Sequence, residues 1–259
     1  MSSNTFSSEY LQSELPAIQI LQQLGYTYID WCSLNRDIST VILEDDFLAS
    51  IQRLNPWIDS SNLSKVLKIL TTPKETETLK INQDFLTDFV KWISLPQDLW
   101  NWKKNQTVKI FDFQNPQNNT FKVINQFKVR LKEKIWIYEK NIPDIVVFIN
   151  WIPIWVIECK APTVENALKK WIEQIQRYHN EIPRLFWYSN INISCAGSSG
   201  LLYGTTNTPI QYFQQWKTFY PYETKEQSIE KIKNIDSPTP QDLALFSIFD
   251  KDNILDLLQ

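Results

Sequence analysis

The chain has 259 residues, 43% of them hydrophobic and 21% charged, with a formal net charge of −3. That length allows one to two domains and a core that needs no disulfide staples. Its four glycines, Gly25, Gly197, Gly200 and Gly204, fit neither GxxxxGK[ST] nor GxGxxG, so no phosphate-cradling loop or dinucleotide fingerprint is present. Cys32, Cys159 and Cys195 lack CxxC spacing, which argues against a disulfide framework and a zinc site. The only histidine, His179, gives little support to a His-based triad and reads more simply as a surface residue. The opening MSSNTFSSEYLQSELP has no basic or apolar leader pattern, and no run of 18 apolar residues occurs. A cytoplasmic protein without a transmembrane helix is the expectation.

In chain order, Leu11, Leu15, Ile18, Leu21 and Leu24 recur at helical spacing and predict a helix over 9–24, closed by Gly25. A strand follows at Tyr26–Trp31. Helices are expected at about 44–54, 62–71 and 77–94, broken at Asn55-Pro56 and Thr72-Pro73. Strands are expected at Val108–Phe113, Phe121–Leu131 and Ile135–Tyr138, with a turn cluster at 114–119. Asp144–Ile149 and Ile154–Lys160 read as apolar strands joined across Asn150-Trp151-Ile152-Pro153. Val164–Asn180 reads as a helix, and Leu185–Tyr188, Ile191–Cys195 and Leu201–Gly204 as short strands. Helical segments are expected around 209–219, 224–234, 239–248 and 252–258, with Ser237-Pro238-Thr239-Pro240 a linker or helix boundary. Helices flanking a strand-rich middle imply a mixed α/β (α+β) architecture.

Charge is unevenly spread. Residues 1–60 carry −6, residues 101–140 carry +6 and residues 236–259 carry −4. A basic stretch interleaved with aromatics suits a phosphate backbone. A solvated strand face is the plainer reading, and charge alone favours it.

The stretch from Pro143 to Lys160 carries the chemistry. If its hairpin is centred on residues 151 and 152, paired residue numbers sum to about 303, and Asp144 lies opposite 158–160. Glu158 and Lys160, two apart, project from one face. Facing carboxylates repel by up to about 1 kcal/mol and call for a cation. Mg²⁺ is apt, because it accepts carboxylate oxygens and keeps waters and phosphates as its other ligands. A lysine there can orient an attacking water or stabilise developing charge. The plain alternative, a buried hairpin whose charged ends simply emerge into solvent, stays open on the pattern alone. Gln174 and Tyr178, one helical turn apart, can turn an amide and a phenol toward the strand ends, or line an ordinary polar helix face.

These segments resemble the N-terminal nuclease domain of the R (restriction, motor) subunit of type I restriction enzymes. SELPAIQILQQLGYTYI is similar to that family's opening helix, with Glu14 as the match, and RLNPW to its Leu-Asn-Pro segment. IFDFQNPQNNTFKVINQFKV resembles its strand–turn–strand, PDIVVFINWIPIWVIECKAP its PD-(D/E)xK core, and QIQRYHNEIPRLFWYSNINIS its Gln-x-x-x-Tyr helix and following strand. Three departures stand out. Trp151 replaces the usual turn glycine, Cys195-Ala196-Gly197 stands where Asp-Gly is usual, and Ile142 replaces an arginine.

The resemblance implies a restriction-endonuclease-like core with a mixed central sheet. It assigns the catalytic domain to 1–235, with a helical part at about 1–100 and the core at about 105–220, and makes 236–259 a connector toward an ATP-driven motor. On that reading the chain is an N-terminal fragment or a natural truncation. Asp144 and Glu158 would bind Mg²⁺ together with the backbone carbonyl of Cys159, and Lys160 would be the catalytic lysine. Gln174 and Tyr178 would assist, and Glu14, or alternatively Glu9, would close the site. Lys169, Lys170, Gln174, Arg177 and Tyr178 would contact double-stranded DNA. The implied partners are methyltransferase and specificity subunits. A docking module that does not cut, and a stand-alone repair nuclease, are the competing readings; the Asp144/Glu158/Lys160 trio speaks against the first and the N-terminal match against the second.

Overall fold

A computed structural model describes residues 9–91, 93–99, 102–131 and 140–259. The chain opens with a π-helical turn, Tyr10–Glu14, that runs directly into α1, Leu15–Gln23. The wide turn has a local cause. Pro16 has no N–H to give to Gln12 O and its ring crowds that carbonyl, so the helix cannot close there with normal spacing. The N–H of Leu15 bonds instead to Tyr10 O, five residues back. α1 buries Ala17, Ile18, Ile20 and Leu21 and stops at Gly25, whose φ of +83° permits Tyr26 N to bond back to Leu21 O (3.0 Å).

A short strand β1 (Thr27–Ile29) follows, then α2 (Glu44–Leu54), α3 (Ser60–Thr71) and α4 (Thr78–Lys91). Asp59 caps α3 by accepting from Asn62 N at 2.7 Å. β2 (Ile93–Leu99) and β3 (Trp102–Val108) form a separate antiparallel pair. The remaining strands are β4 (Phe121–Asn125), β5 (Val129–Arg130), β6 (Lys140–Asn141), β7 (Ile145–Ile149), β8 (Ile152–Cys159), β9 (Ile191–Cys195) and β10 (Leu201–Thr205). Six of them make the central sheet in the order β1-β4-β7-β8-β9-β10. It is mixed: β1–β4 and β8–β9 are parallel, and the other neighbours are antiparallel. Every residue of β7 and β8 is buried, as expected for strands covered on both faces.

The helices that cover the sheet are α5 (Ala167–Glu181), α6 (Pro183–Phe186), α7 (Lys225–Lys231), α8 (Pro240–Ile248) and α9 (Lys251–Asp256). Eight of the nine residues of α8, all but Pro240, are buried. It lies against α1, and Leu245, Ile248 and Phe249 join the same core cluster as the sheet.

The mixed α/β architecture matches the expectation, but several elements differ. The segment 185–188 is not a strand, because Pro183 opens a helical turn, α6, there. The helix expected over 77–94 ends at Lys91, and Ile93 and Leu95 turn inward on an alternating strand. The strand expected at 108–113 lies instead at Trp102–Val108. The long strand 121–131 is split at Gln126, whose φ of +48° breaks the ladder. The helix expected at 209–219 is only a 3-10 turn, Ile210–Tyr212, because Gln214 pairs with Tyr203 through two 2.9 Å backbone bonds. The strand expected at Ile135–Tyr138 lies outside the described residues.

Candidate active site

The β7–β8 hairpin places the first two acids. Asn150 and Trp151 both take left-handed backbone angles (φ +49° and +66°), forming the mirror-image two-residue turn that suits twisted strands. Trp151 thus adopts the conformation that the more usual glycine would supply. Pairing then runs Ile149 with Ile152 and Phe148 with Pro153, and a bulge shifts it so that Val147 meets Trp155 and Ile145 meets Ile157. Proline at the bulge loses no ladder bond it needs. Beyond the last pair, Asp144 stands opposite Glu158.

Each carboxyl group bonds to the backbone beside the other. Asp144 Oδ2 accepts from Cys159 N (2.8 Å), and Glu158 Oε1 accepts from Asp144 N (3.3 Å). From α5, Gln174 donates Nε2 to Glu158 Oε2 (3.1 Å) and to Tyr178 Oη (2.7 Å). Gln174 and Tyr178 therefore form a chain that holds Glu158. The Tyr178 ring is buried, so its phenol faces the acid and not an open surface.

From the opposite side comes the π-helical turn. An α-helix advances about 100° per residue and a π-turn roughly 80°. Glu9 and Glu14, five apart, would point about 140° apart on the first and lie roughly 40° apart on the second. Both face the site. Glu9 Oε2 pairs with Lys160 Nζ at 2.5 Å, and Glu14 Oε2 accepts from Gln126 Nε2 at 3.4 Å. Lys160 follows β8, is fixed by its backbone N–H to Cys195 O (2.9 Å), and holds its ammonium 4.0 Å from the centre of the Trp171 ring.

Gln126 and Trp171 are the residues that sequence reasoning passed over. The Gln126 amide also reaches Asp144 Oδ1 (3.4 Å), so one –NH₂ group bridges Glu14 and Asp144. The left-handed break that splits β4 from β5 aims it there. The Asn-Gln pair in VINQF was visible, but its turn was not.

The electrostatics are strained in one direction. Burial first, and then the Asp144 charge, push Glu14 up to about 7. Burial pushes Asp144 up to about 6 against the opposing Cys159 N–H. Burial, and then the Asp144 charge, lift Glu158 well above the ordinary carboxylate range. Burial and the neighbouring Glu158 raise the Tyr178 phenol. Glu14 Oε1 is buried without a hydrogen-bond partner among the described residues.

This donor set fits a hard divalent cation. Asp144 and Glu158 are two adjacent oxygen donors whose ionised forms repel, and the unmet Glu14 oxygen lies beside them. Among the described residues no group of three or more His, Cys, Asp or Glu is gathered closely enough to hold a metal by itself. Mg²⁺ needs fewer, because it is commonly held by one or two carboxylates plus waters and phosphates.

The residues expected at a DNA surface separate from this cluster. Lys169, Lys170 and Arg177 are exposed on α5, and Arg177 Nε lies 3.4 Å from Glu181 Oε2. Lys170 and Arg177 each sit one turn from Gln174, on either side of it. His179, read from the sequence as a surface residue, is buried against Phe186, and burial lowers its pKa to about 4. Among the described residues no helix is long and apolar enough to cross a membrane.

A family model described as "Type I restriction enzyme R protein N terminus" matches residues 6–211. The chain is 26% identical over an alignment of 265 residues to a Methanocaldococcus jannaschii protein named as the MjaIXP endonuclease subunit of a type I restriction enzyme, covering 95% of this chain and 25% of that protein. It is 29% identical over 209 residues to the type I restriction enzyme HindI endonuclease subunit of Haemophilus influenzae, covering 77% of this chain and 19% of that one. The chain thus spans a quarter or less of the length of these relatives.

Proposed function

Because the chain belongs to the family of type I restriction enzyme R protein N-terminal regions, we propose that it is the Mg²⁺-dependent endonuclease domain of such a subunit and hydrolyses DNA phosphodiester bonds. The observation that carries this is the juxtaposed pair Asp144 and Glu158, each carboxyl bonded to the backbone beside the other, with Lys160 just past the end of β8. Burying two like charges side by side costs stability that a scaffold has no reason to bear.

In this reading Asp144 and Glu158 hold the metal, with the Cys159 carbonyl as a third ligand. Bound there, Mg²⁺ supplies Lewis-acid polarisation of the phosphate and lowers the pKa of a water. Lys160, released from Glu9 when DNA enters, orients the attacking water and balances charge developing on phosphorus. Gln174 holds Glu158 in place by donating to it, and Tyr178 fixes Gln174. Gln126 keeps Asp144 and Glu14 apart but adjacent. Lys169, Lys170 and Arg177 contact the DNA backbone beside the site. In this proposal the DNA sequence is read outside this domain. That task falls to a specificity subunit, with a methyltransferase subunit and an ATP-driven motor as the further parts of a cytoplasmic complex.

The test uses plasmid DNA with the full R chain in its subunit complex, ATP and Mg²⁺. Asp144→Ala and Lys160→Ala should each abolish cleavage while DNA-dependent ATP hydrolysis persists. Cleavage at the unmodified rate by both variants would overturn the assignment.

A further inference from the structure

The acid-bearing turn is not held by its neighbours in sequence. Gln241, the second residue of α8, is completely buried and reaches back 228 residues to it. Its Oε1 accepts from Ser13 Oγ (2.7 Å), and its Nε2 donates to Ser13 O (2.8 Å). The same Oε1 accepts from the N–H of Gly197 (2.7 Å), in the loop that follows β9. Every hydrogen-bonding position that these contacts use lies on one of two pieces of chain, and each piece leads to the site. Ser13 sits inside the turn that carries Glu9 and Glu14. Gly197 is two residues past Cys195, whose carbonyl fixes the Lys160 backbone.

The two pieces are also in close approach. Gly197 has φ +48°, and a Cβ there would come within 2.7 Å of Gln12 O. Only glycine lets the loop pass so near the turn. Gln241 is itself placed firmly. Thr239 and Asp242 form a capping box around the start of α8, and Pro240 pre-sets its first turn.

We infer that Gln241 is a positioning residue for the proposed nuclease site, locking the Tyr10–Glu14 turn to the loop after β9 and thereby setting Glu9 and Glu14 against Lys160 and Asp144. The inference rests on the nuclease reading for its functional consequence and on the hydrogen bonds alone for the clamp. Removing the amide leaves the wide turn, whose pitch Pro16 sets, free to shift as a unit against the loop after β9, which would carry Glu9 and Glu14 off Lys160 and Asp144.

Gln241→Met keeps the side-chain length and burial and deletes all three bonds. The full chain carrying it is compared with the unmodified chain and with Tyr188→Phe, which removes a buried bond to Leu70 O away from the turn. Backbone amide exchange should rise at least tenfold across residues 10–15 and 196–199 in Gln241→Met and stay unchanged in β8. Mg²⁺ binding by titration calorimetry should weaken about tenfold, and in the complex kcat for DNA cleavage should fall with KM for DNA unchanged. Tyr188→Phe should show none of these. Unaltered exchange over 10–15 would overturn the clamp. Faster exchange with unmodified Mg²⁺ affinity and kcat would reduce Gln241 to a packing residue and overturn the positioning role. A failure of the unmodified chain to bind Mg²⁺ or to cut would count against the nuclease reading and leave the exchange result to decide the clamp.

Discussion

The two ends of the β7–β8 hairpin bury polar side chains in opposite ways. At the turn, Asn150 is fully buried and fully satisfied. Its Oδ1 accepts from Thr120 N (2.9 Å), and its Nδ2 donates to Ile110 O (2.8 Å) and Asn119 Oδ1 (2.9 Å). Asn119 in turn organises the loop through Asp112 N (2.9 Å) and Asp112 O (2.8 Å). At the open end, Asp144 and Glu158 crowd together, Glu14 leaves an oxygen unpaired, and the pKa values of all three are raised. One end is neutral and closed, and it fixes the register. The other is acidic and incomplete, and it is arranged to receive something. A satisfied buried network adds rigidity, whereas an unsatisfied one at neutral pH signals a missing partner.

The largest effect should come from the open end. Asp144→Asn keeps the shape and removes the charge, and cleavage should fall about a thousandfold because several kcal/mol of charge stabilisation are lost. The thermal midpoint of the same variant at pH 8 should not drop, because a buried like-charge repulsion has gone. Activity assays and calorimetry on one preparation check both halves; a variant that loses stability along with activity would dissolve the contrast between the ends.

The closed end should behave in reverse. Asn150→Ala strands Thr120 N and Ile110 O and places alanine in a left-handed turn, so stability should fall by about 3 kcal/mol. Urea titration measures it, and Mg²⁺ affinity of the folded fraction should stay unchanged.

The pH dependence separates the ends further. Glu14, with its folded pKa near 7 against an ordinary 4.5, contributes stability that is complete below about 4.5 and lost as pH rises through about 7. Asp144 does the same up to about 6. His179, lowered to about 4, contributes in the other direction: its stability is present above about 6.5 and lost as pH falls through about 4. Glu14→Gln should therefore flatten the loss between pH 5 and 8, by on the order of 3 kcal/mol. His179→Gln should flatten only the acid limb. Denaturant midpoints across pH 4–8 check the windows, and a Glu14→Gln curve that parallels the unmodified one would remove Glu14 from the buried cluster.

The smallest effect is ligand-linked. At pH 8, Mg²⁺ at ten times its dissociation constant should raise the thermal midpoint by about 3 °C, corresponding to about 1.4 kcal/mol. The rise should vanish at pH 5, where Glu14 and Asp144 are protonated, and in Asp144→Asn at any pH. An equal rise at both pH values would place the binding elsewhere.

Much of the open end was legible because it is local. Asp144, Glu158 and Lys160 lie on one hairpin, and pairing numbers summing to about 303 came within one residue of the observed Ile145–Ile157 register. Helical spacing likewise brought Gln174 and Tyr178 to one face. The rest depended on features that periodicity does not carry. Gln126 enters through a left-handed break inside a stretch that reads as continuous strand. Glu9 and Glu14 read as rivals because a regular helix separates them, and only the π-turn at Pro16 turns both inward. His179 read as exposed because its burial depends on Phe186, seven residues on and in another helix. The segment 209–219 lost its helix to a pairing with Tyr203 that no local pattern announces. Gln241 is the extreme case: its partners are 228 and 44 residues away.

That last separation has a consequence for the order in which the protein comes into being. Synthesis runs from the N-terminal side, so Glu9 and Glu14 emerge before the hairpin acids. The hairpin acids follow well before α8. Until Gln241 has emerged and closed its loop of more than two hundred residues, the acid-bearing turn lacks its buried amide clamp, and long-range closure of that kind is slow. A chain stopped before α8 therefore contains Asp144, Glu158 and Lys160 but lacks the clamp on the Tyr10–Glu14 turn. In the proposed function, α8 thus completes the acid cluster only after all the residues that form it have been made.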